Sequence, residues 1–290
     1  MLSRGITGKG VSSDAPLSMT LLEDILARDY PLVAPHEAPP VQLLNEGGSA
    51  RVLLVGDHAS NTIPEALGQL GLEDWILERH VAYDIGSRAL LEHLALHLDA
   101  TALLAGYSRL VIDLNRALSD PTAIPEVSDG IEIPGNRNLS DQQREARITS
   151  FYTPYRLAID RLLDDYRDHG AVPAFVAVHS FTPEMAGAAR PWHIGLLWDK
   201  DSRIARPLME RLREHPFGIN VGDNEPYSGR HPADYTIDHH AEARGIPHIS
   251  IEVRQDLVSS AEGAEQWATI LHEALREVLI DARLYRYLDT

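Results

Sequence analysis

Cysteine is absent from all 290 residues, which excludes disulfides, a thiolate nucleophile and sulfur-ligated metal sites. No apolar run approaches the length of a bilayer span, so a soluble protein is expected. Basic residues are few: Lys and Arg number 26 against 43 Asp and Glu, for a formal charge of -17. That balance disfavours nonspecific binding to nucleic acid or to an anionic membrane, and it leaves room for a local basic pocket. The N-terminus lacks a continuous apolar h-region, so cytoplasmic residence is the simplest expectation. There is no repeat period, no coiled-coil pattern, no low-complexity tract and no Gly-rich nucleotide signature. Ser180 does not sit in a G-x-S-x-G elbow, which argues against a covalent serine mechanism.

What is present suffices for a core. Residues of the hydrophobic class make up 44% of the chain, and no linker interrupts it, so one α/β domain over 20–290 is expected. Residues 1–19, rich in Gly and Ser, read as a flexible segment, and Thr20 with Glu23 reads as a capping box before LLEDIL. RVLLV at 51–55, TALLA at 101–105, RLVID at 109–113, AFVAV at 174–178, IGLLW at 194–198 and HISIEV at 248–253 read as strands. Helical periods fall at 83–97, 140–149, 154–169, 202–214, 234–243 and 261–280, with Thr153 placed to cap the helix that Pro154 opens. A polar, Pro- and Gly-bearing stretch at 119–140 is expected to wrap an active-site edge. The alternation predicts a three-layer α/β fold around a central sheet.

The chemistry-bearing residues cluster at strand ends. GDHAS at 56–60 and AVHSF at 177–181 each deliver a histidine from a buried run, and DLNR at 113–116 lies between them. His58 and His179 are the first metal ligands to choose, because neutral imidazoles coordinate zinc and strand ends fix their direction. With 14 histidines in the chain, the competing reading is that each ring satisfies a local hydrogen-bond network. Asp84 in YDIGS is the leading third ligand; its other reading is stabilisation of a helix N-terminus. Asp57 or Asn61 can instead orient His58 or complete the site. Arg109, Asn115 and Arg116 suit recognition of a substrate carboxylate, or else form an internal ion-pair network with Asp113. Glu252 in SIEVR is placed to take a proton from a metal-activated water; the alternatives are an ion pair with Arg254 or a place among the metal ligands. Asn224 and Tyr227 in NEPYSG read as a loop that contacts a polar ligand.

Together GDHASNTIP, RLVIDLNR, VHSF, NEPYSG and SIEVR resemble the N-formylglutamate amidohydrolase family, over roughly residues 41–281. The resemblance implies a zinc-hydrolase architecture with a central mixed sheet, related to metallocarboxypeptidases and aspartoacylase-like enzymes. It implies zinc on His58 and His179, and the catalytic carboxylate at Glu252. In the related folds a ligand glutamate follows the early histidine by three positions; here that position is Asn61, which leaves Asp84 as the inferred third ligand. DLNR resembles the carboxylate-binding Asn-Arg pair, mapping it to Asn115 and Arg116, with Arg109 assisting the scissile carbonyl or an acidic side chain. The implied reaction is zinc-dependent hydrolysis of N-formyl-L-glutamate or a related N-acyl acidic amino acid. The alternatives are a deacylase or carboxypeptidase-like enzyme with another substrate, and a noncatalytic protein that binds acidic ligands.

Overall fold

The computed structural model describes residues 22–230 and 235–288. The segment 1–19 and the capping position Thr20 lie outside the described residues. Seven strands form the main sheet: β1 (Val41–Leu44), β2 (Val52–Gly56), β3 (Thr101–Ala105), β6 (Ala174–Phe181), β9 (Ile194–Leu197), β10 (Val221–Asp223) and β11 (His248–Arg254). Two short hairpins lie apart from it, β4 (Val127–Ser128) with β5 (Ile131–Glu132) and β7 (Glu184–Met185) with β8 (Ala188–Ala189). The helices are α1 (Glu23–Leu26), α2 (Asp74–Leu77), α3 (Ser87–Leu98), α4 (Asp141–Arg147), α5 (Thr153–Asp168), α6 (Ala205–Arg213), α7 (Gln255–Val258) and α8 (Ala261–Leu279). Among the described residues no helix is long and apolar enough to cross a membrane.

The sheet order is β1-β3-β2-β6-β11-β9-β10. Strands β3, β2, β6 and β11 run parallel; β1 joins β3 antiparallel, and β9 joins β11 antiparallel. Successive side chains on a strand alternate faces, and both faces here are buried. Leu54, Val176 and Ile251 pack with Leu91 of α3, Leu208 of α6 and Leu271 of α8. Leu53, Phe175 and Ala177 pack with Tyr155, Ile159 and Leu162 of α5 on the opposite face. Covering both faces is why these strands read as unbroken apolar runs. It produces a mixed α/β fold with helices on each side of the sheet.

Several local expectations are corrected. RLVID is a turn, in which the Val111 N–H donates to the Ser108 carbonyl and the Asp113 N–H to that of Ala123. In a strand, residues four apart stand roughly 13 Å from each other, yet Arg109 and Asp113 form an ion pair at 2.7 Å. The helix expected from residue 83 starts at Ser87, because Gly86 precedes it at φ 81°. The helices expected at 140–149 and 154–169 are continuous through a π-helical segment, Ile148–Tyr152, and Thr153 lies inside the run with helical dihedrals rather than capping it. The wider π turn is where the backbone ladder adjusts to Pro154, which has no N–H to donate. The helical period at 234–243 is realised as a π segment, Ile237–Ala241, and a 3-10 turn, Glu242–Arg244.

Candidate active site

From β2 the chain moves to β3 on one side and later returns to β6 on the other, so β2 and β6 flank a topological switch point. Crevices for ligands open there, beyond the carboxyl ends of the strands. Asp57 and His58 follow β2, while His179 and Glu252 occupy the carboxyl-terminal parts of β6 and β11. His179 is paired in register with Glu252, so the two side chains lie on one face. On β6 that face continues from Phe175 and Ala177, which sit in the apolar cluster beneath α5. The same alternation that builds the core thus delivers the polar groups once the strand has passed it.

His58, Asp84 and His179 converge. Asp84 Oδ2 lies 2.9 Å from His179 Nδ1 and 3.5 Å from His58 Nδ1, and the two rings meet edge-on with centroids 5.1 Å apart. The opposite nitrogen of each ring also faces a carboxylate. His58 Nε2 is 2.8 Å from Asp113 Oδ1, and His179 Nε2 is 3.5 Å from Asp57 Oδ2. Those outer carboxylates are themselves held: Arg109 donates to Asp113 Oδ2 from Nε at 3.1 Å and Nη2 at 2.7 Å, and the Tyr155 hydroxyl donates to Asp57 Oδ1 at 2.7 Å. Asp84 is anchored through its backbone, its N–H donating to the His58 carbonyl at 3.0 Å.

The electrostatics follow from enclosure. Asp57, His58, Asp84, Asp113 and His179 are all buried, and one guanidinium, that of Arg109, pairs with Asp113 at 2.7 Å and with Asp84 at 3.5 Å, a single positive charge against three carboxylates. Burial and the Arg109 charge push the His58 imidazole down, but Asp113 and Asp84 outweigh them and its pKa is raised. Burial likewise opposes the charged form of His179, and Asp57 and Asp84 nevertheless hold it well above its ordinary value. Against the cost of burial, Arg109 and His58 keep Asp113 well below the carboxylate range. A divalent cation on Asp84 and the two Nδ1 atoms would supply the positive charge that two protons otherwise bring. The donor set fits such an ion: a buried N, N, O group, with His58 Nδ1 making no hydrogen bond and each opposite nitrogen backed by a carboxylate.

Among the described residues another His/Asp grouping, Asp160, His239 and His240, offers similar ligand types. There the Arg244 guanidinium already sits 2.7 Å from Asp160 Oδ1, and burial together with the Arg156 charge lowers the pKa of both histidines. That environment repels a cation.

A cavity of about 500 Å³ opens onto the His58–Asp84–His179 centre, lined among others by Arg109, Asn115, Arg116, Tyr227 and Glu252. Asn115 Oδ1 accepts the Thr236 N–H at 2.8 Å, which fixes its amide at the wall. Arg254 pairs with Asp256 at 2.7 Å, so Glu252 does not make the Arg254 ion pair considered as its alternative role. Gly195, in register with Glu252, leaves room for the backbone loop that carries Tyr227: a Cβ there would meet the Glu225 carbonyl oxygen at 2.1 Å. Tyr227 receives a hydrogen bond from Arg190 Nη1 at 3.0 Å.

Two residues weighed for the site stand elsewhere. Asn61 donates to the Leu77 carbonyl at 3.1 Å and to Glu78 Oε1 at 3.3 Å. Asn224 is not among the cavity-lining residues; its Oδ1 accepts the Trp198 and Gly229 N–H groups at 3.0 and 2.8 Å, so it shapes the loop. Asp57, weighed as a partner of His58, faces His179 instead, while Asp113 takes His58. Tyr155 and Arg190 were not anticipated: each acts through a hydroxyl or carboxylate contact almost 40 or more positions away, and no local pattern announces such a pair.

An α/β fold that gathers imidazoles and carboxylates at the carboxyl ends of its strands, above a polar cavity, is the architecture of an enzyme acting on a small molecule. Residues 50–259 match the family model for N-formylglutamate amidohydrolase, and the chain belongs to that family. Hydrolysis of an N-acyl amino acid is the corresponding reaction class. Among solved structures the chain is similar to the gene product Atu2144 from Agrobacterium tumefaciens, with 33% identity and a TM-score of 0.82 over 86% of this chain and 98% of that one. It also shares its fold with N-formylglutamate amidohydrolase from Ralstonia eutropha JMP134, at 20% identity and a TM-score of 0.55 over 84% and 98% of the two chains. No curated protein matches it.

Proposed function

We propose that this chain is a zinc-dependent amidohydrolase that cleaves N-formyl-L-glutamate or a related N-acyl acidic amino acid. One observation carries the reading: both histidines turn Nδ1 toward Asp84, while Asp113 bonds the opposite nitrogen of His58 and Asp57 faces that of His179 at 3.5 Å. On this reading the fold is a zinc-hydrolase fold of the metallocarboxypeptidase and aspartoacylase kind, with Asp84 replacing the ligand that Asn61 does not supply. His58, His179 and Asp84 would hold the zinc ion, which would supply a water acidified toward a pKa of about 7 and a Lewis acid for the acyl carbonyl.

The chain's own groups do the rest. Glu252, beside His179, takes the proton of the attacking water and returns it to the departing nitrogen, and the acid formed passes its own proton to the released amine, so the amide and water become a carboxylate and an ammonium group. Arg116 and Asn115 bind the carboxylates of the amino acid half, and Arg109 braces Asp113 while presenting its guanidinium to the carbonyl. Tyr227 closes the wall opposite.

The test is release of formate and glutamate from N-formyl-L-glutamate by metal-depleted and zinc-reconstituted protein, with N-acetyl and peptide controls. Turnover is expected only with zinc. Glu252→Gln is expected to lower kcat by about 10²- to 10⁴-fold while zinc still binds. Equal turnover with and without zinc, or full activity in Glu252→Gln, would sink the mechanism. Zinc binding without turnover of any N-acyl compound or peptide would make the chain a noncatalytic binding protein.

A further inference from the structure

Among the described residues a second cavity adjoins the first at Asp84. The second measures about 330 Å³ and shares Asp84, Arg109, Ser180 and Tyr227 with the first. Beyond them its wall has an apolar side, Val81, Phe181 and Met185, and a polar side that includes the His80–Asp129 ion pair at 3.2 Å. Both short hairpins contribute to it, through Ser128 and Met185. Each closes through two residues at positive φ, Asp129 and Gly130 at 44° and 74°, Ala186 and Gly187 at 52° and 77°. Such two-residue turns match the twist of the flanking strands and make compact, ordered rims. Arg190 braces the second hairpin, donating to Thr182 Oγ1 at 3.2 Å and Tyr227 at 3.0 Å and lying 3.0 Å from Met185 Sδ.

The linings differ in a way that orients an amide. Glu252, Asn115 and Arg116 border only the larger cavity, whereas Phe181 and Met185 border only the smaller. The half of the substrate that leaves as an amine must lie near Glu252, which supplies its proton, and a carboxylate on that half meets Arg116. The acyl half is then directed into the smaller cavity. Beyond its carbonyl a formyl group offers one hydrogen atom, while 330 Å³ equals about ten water volumes at about 30 Å³ each. The apolar side of that wall, Val81, Phe181 and Met185, contributes to transition-state binding only if the acyl group is long enough to cover it.

We propose that the smaller cavity is an acyl pocket, and that the chain prefers N-acyl amino acids whose acyl group carries a ring or a branched chain over the N-formyl compound. This rests on the hydrolase reading above. The experiment compares kcat/KM of the zinc-loaded protein for N-formyl-, N-acetyl-, N-isobutyryl- and N-benzoyl-L-glutamate. It also measures Kd for the formyl and benzoyl compounds on Glu252→Gln by calorimetry. The benzoyl or isobutyryl compound is expected to exceed the formyl compound at least tenfold in kcat/KM, and the benzoyl compound to bind the variant at least tenfold more tightly. Met185→Trp, which fills the pocket, is expected to shift the benzoyl-to-formyl ratio of kcat/KM toward formyl by at least tenfold. Turnover of the formyl compound above all the others overturns the acyl pocket and leaves the hydrolase reading standing. A Met185→Trp ratio unchanged within twofold also overturns the pocket. Failure to cleave any of the four compounds overturns the acyl pocket, and failure on the N-acyl-L-aspartates and peptides as well overturns the hydrolase reading.

Discussion

Each imidazole takes its direction from one carboxylate, His58 from Asp113 through Nε2 and His179 from Asp84 through Nδ1, which makes Asp113 as consequential as any group that touches a ligand. Asp113→Asn keeps the shape, removes the charge that Arg109 and His58 share, and weakens the hold on His58 Nε2. Zinc affinity is expected to fall about 10- to 100-fold, read by competition with a chromophoric chelator. Asn61→Ala is the contrasting change, since the Asn61 side chain is spent on Leu77 and Glu78. Its zinc affinity is expected to stay within about twofold of the parent; a loss as large as that of Asp113→Asn would put residue 61 back among the ligands. Sequence alone points to His58 and His179, because apolar runs announce strand ends, and to Asp84 at the start of a helical period in YDIGS. It does not announce that Asp57 serves His179 and Asp113 serves His58, since those pairings depend on which strands become neighbours.

At the scale of elements, the turn before α3 carries Asp84, and Gly86 sets its shape. Gly86 sits at φ 81°, and a Cβ there would lie 2.2 Å from the Val258 carbonyl oxygen. Gly86→Ala therefore adds strain at a left-handed position to a backbone clash, and roughly 3 kcal/mol of stability is expected to go. Urea unfolding measures this, and a change below about 0.5 kcal/mol would mean that the turn is not held as described. The positions of β2, β3, β6, β9 and β11 were legible from apolar runs within a residue or two at most ends. RLVID was not, because a buried turn and a buried strand carry the same apolar residues and only the Arg109–Asp113 ion pair separates them. The strand β10 and both hairpins are two or three residues long, too short for a period to register.

For the whole molecule, an ion at His58, Asp84 and His179 would tie the end of β2 to β6 and to the turn before α3, elements far apart in the chain. On the zinc reading proposed above, binding to the folded form alone would stabilise it by about 4 kcal/mol with free zinc a thousandfold above Kd. For a chain of this length that corresponds to a rise of roughly 8 °C in Tm. Differential scanning calorimetry of the metal-free and zinc-loaded protein reads the shift, and a His58→Ala, His179→Ala double variant is expected to abolish it. A shift that survives in the double variant would place the ion elsewhere.

The sequence by itself determined the α/β class, the buried strands and the histidines at their ends, because hydrophobic period and strand punctuation are local properties of the chain. Its motifs also carried the family. Tertiary structure alone decided which carboxylate backs which imidazole, that Asn61 and Asn224 serve backbone groups rather than the cavity, and that a second cavity faces the first across Asp84. Those outcomes depend on sheet order and register, which bring residues 57, 84, 113, 155, 179 and 252 within reach of one another. Contacts across such separations leave no mark on local pattern.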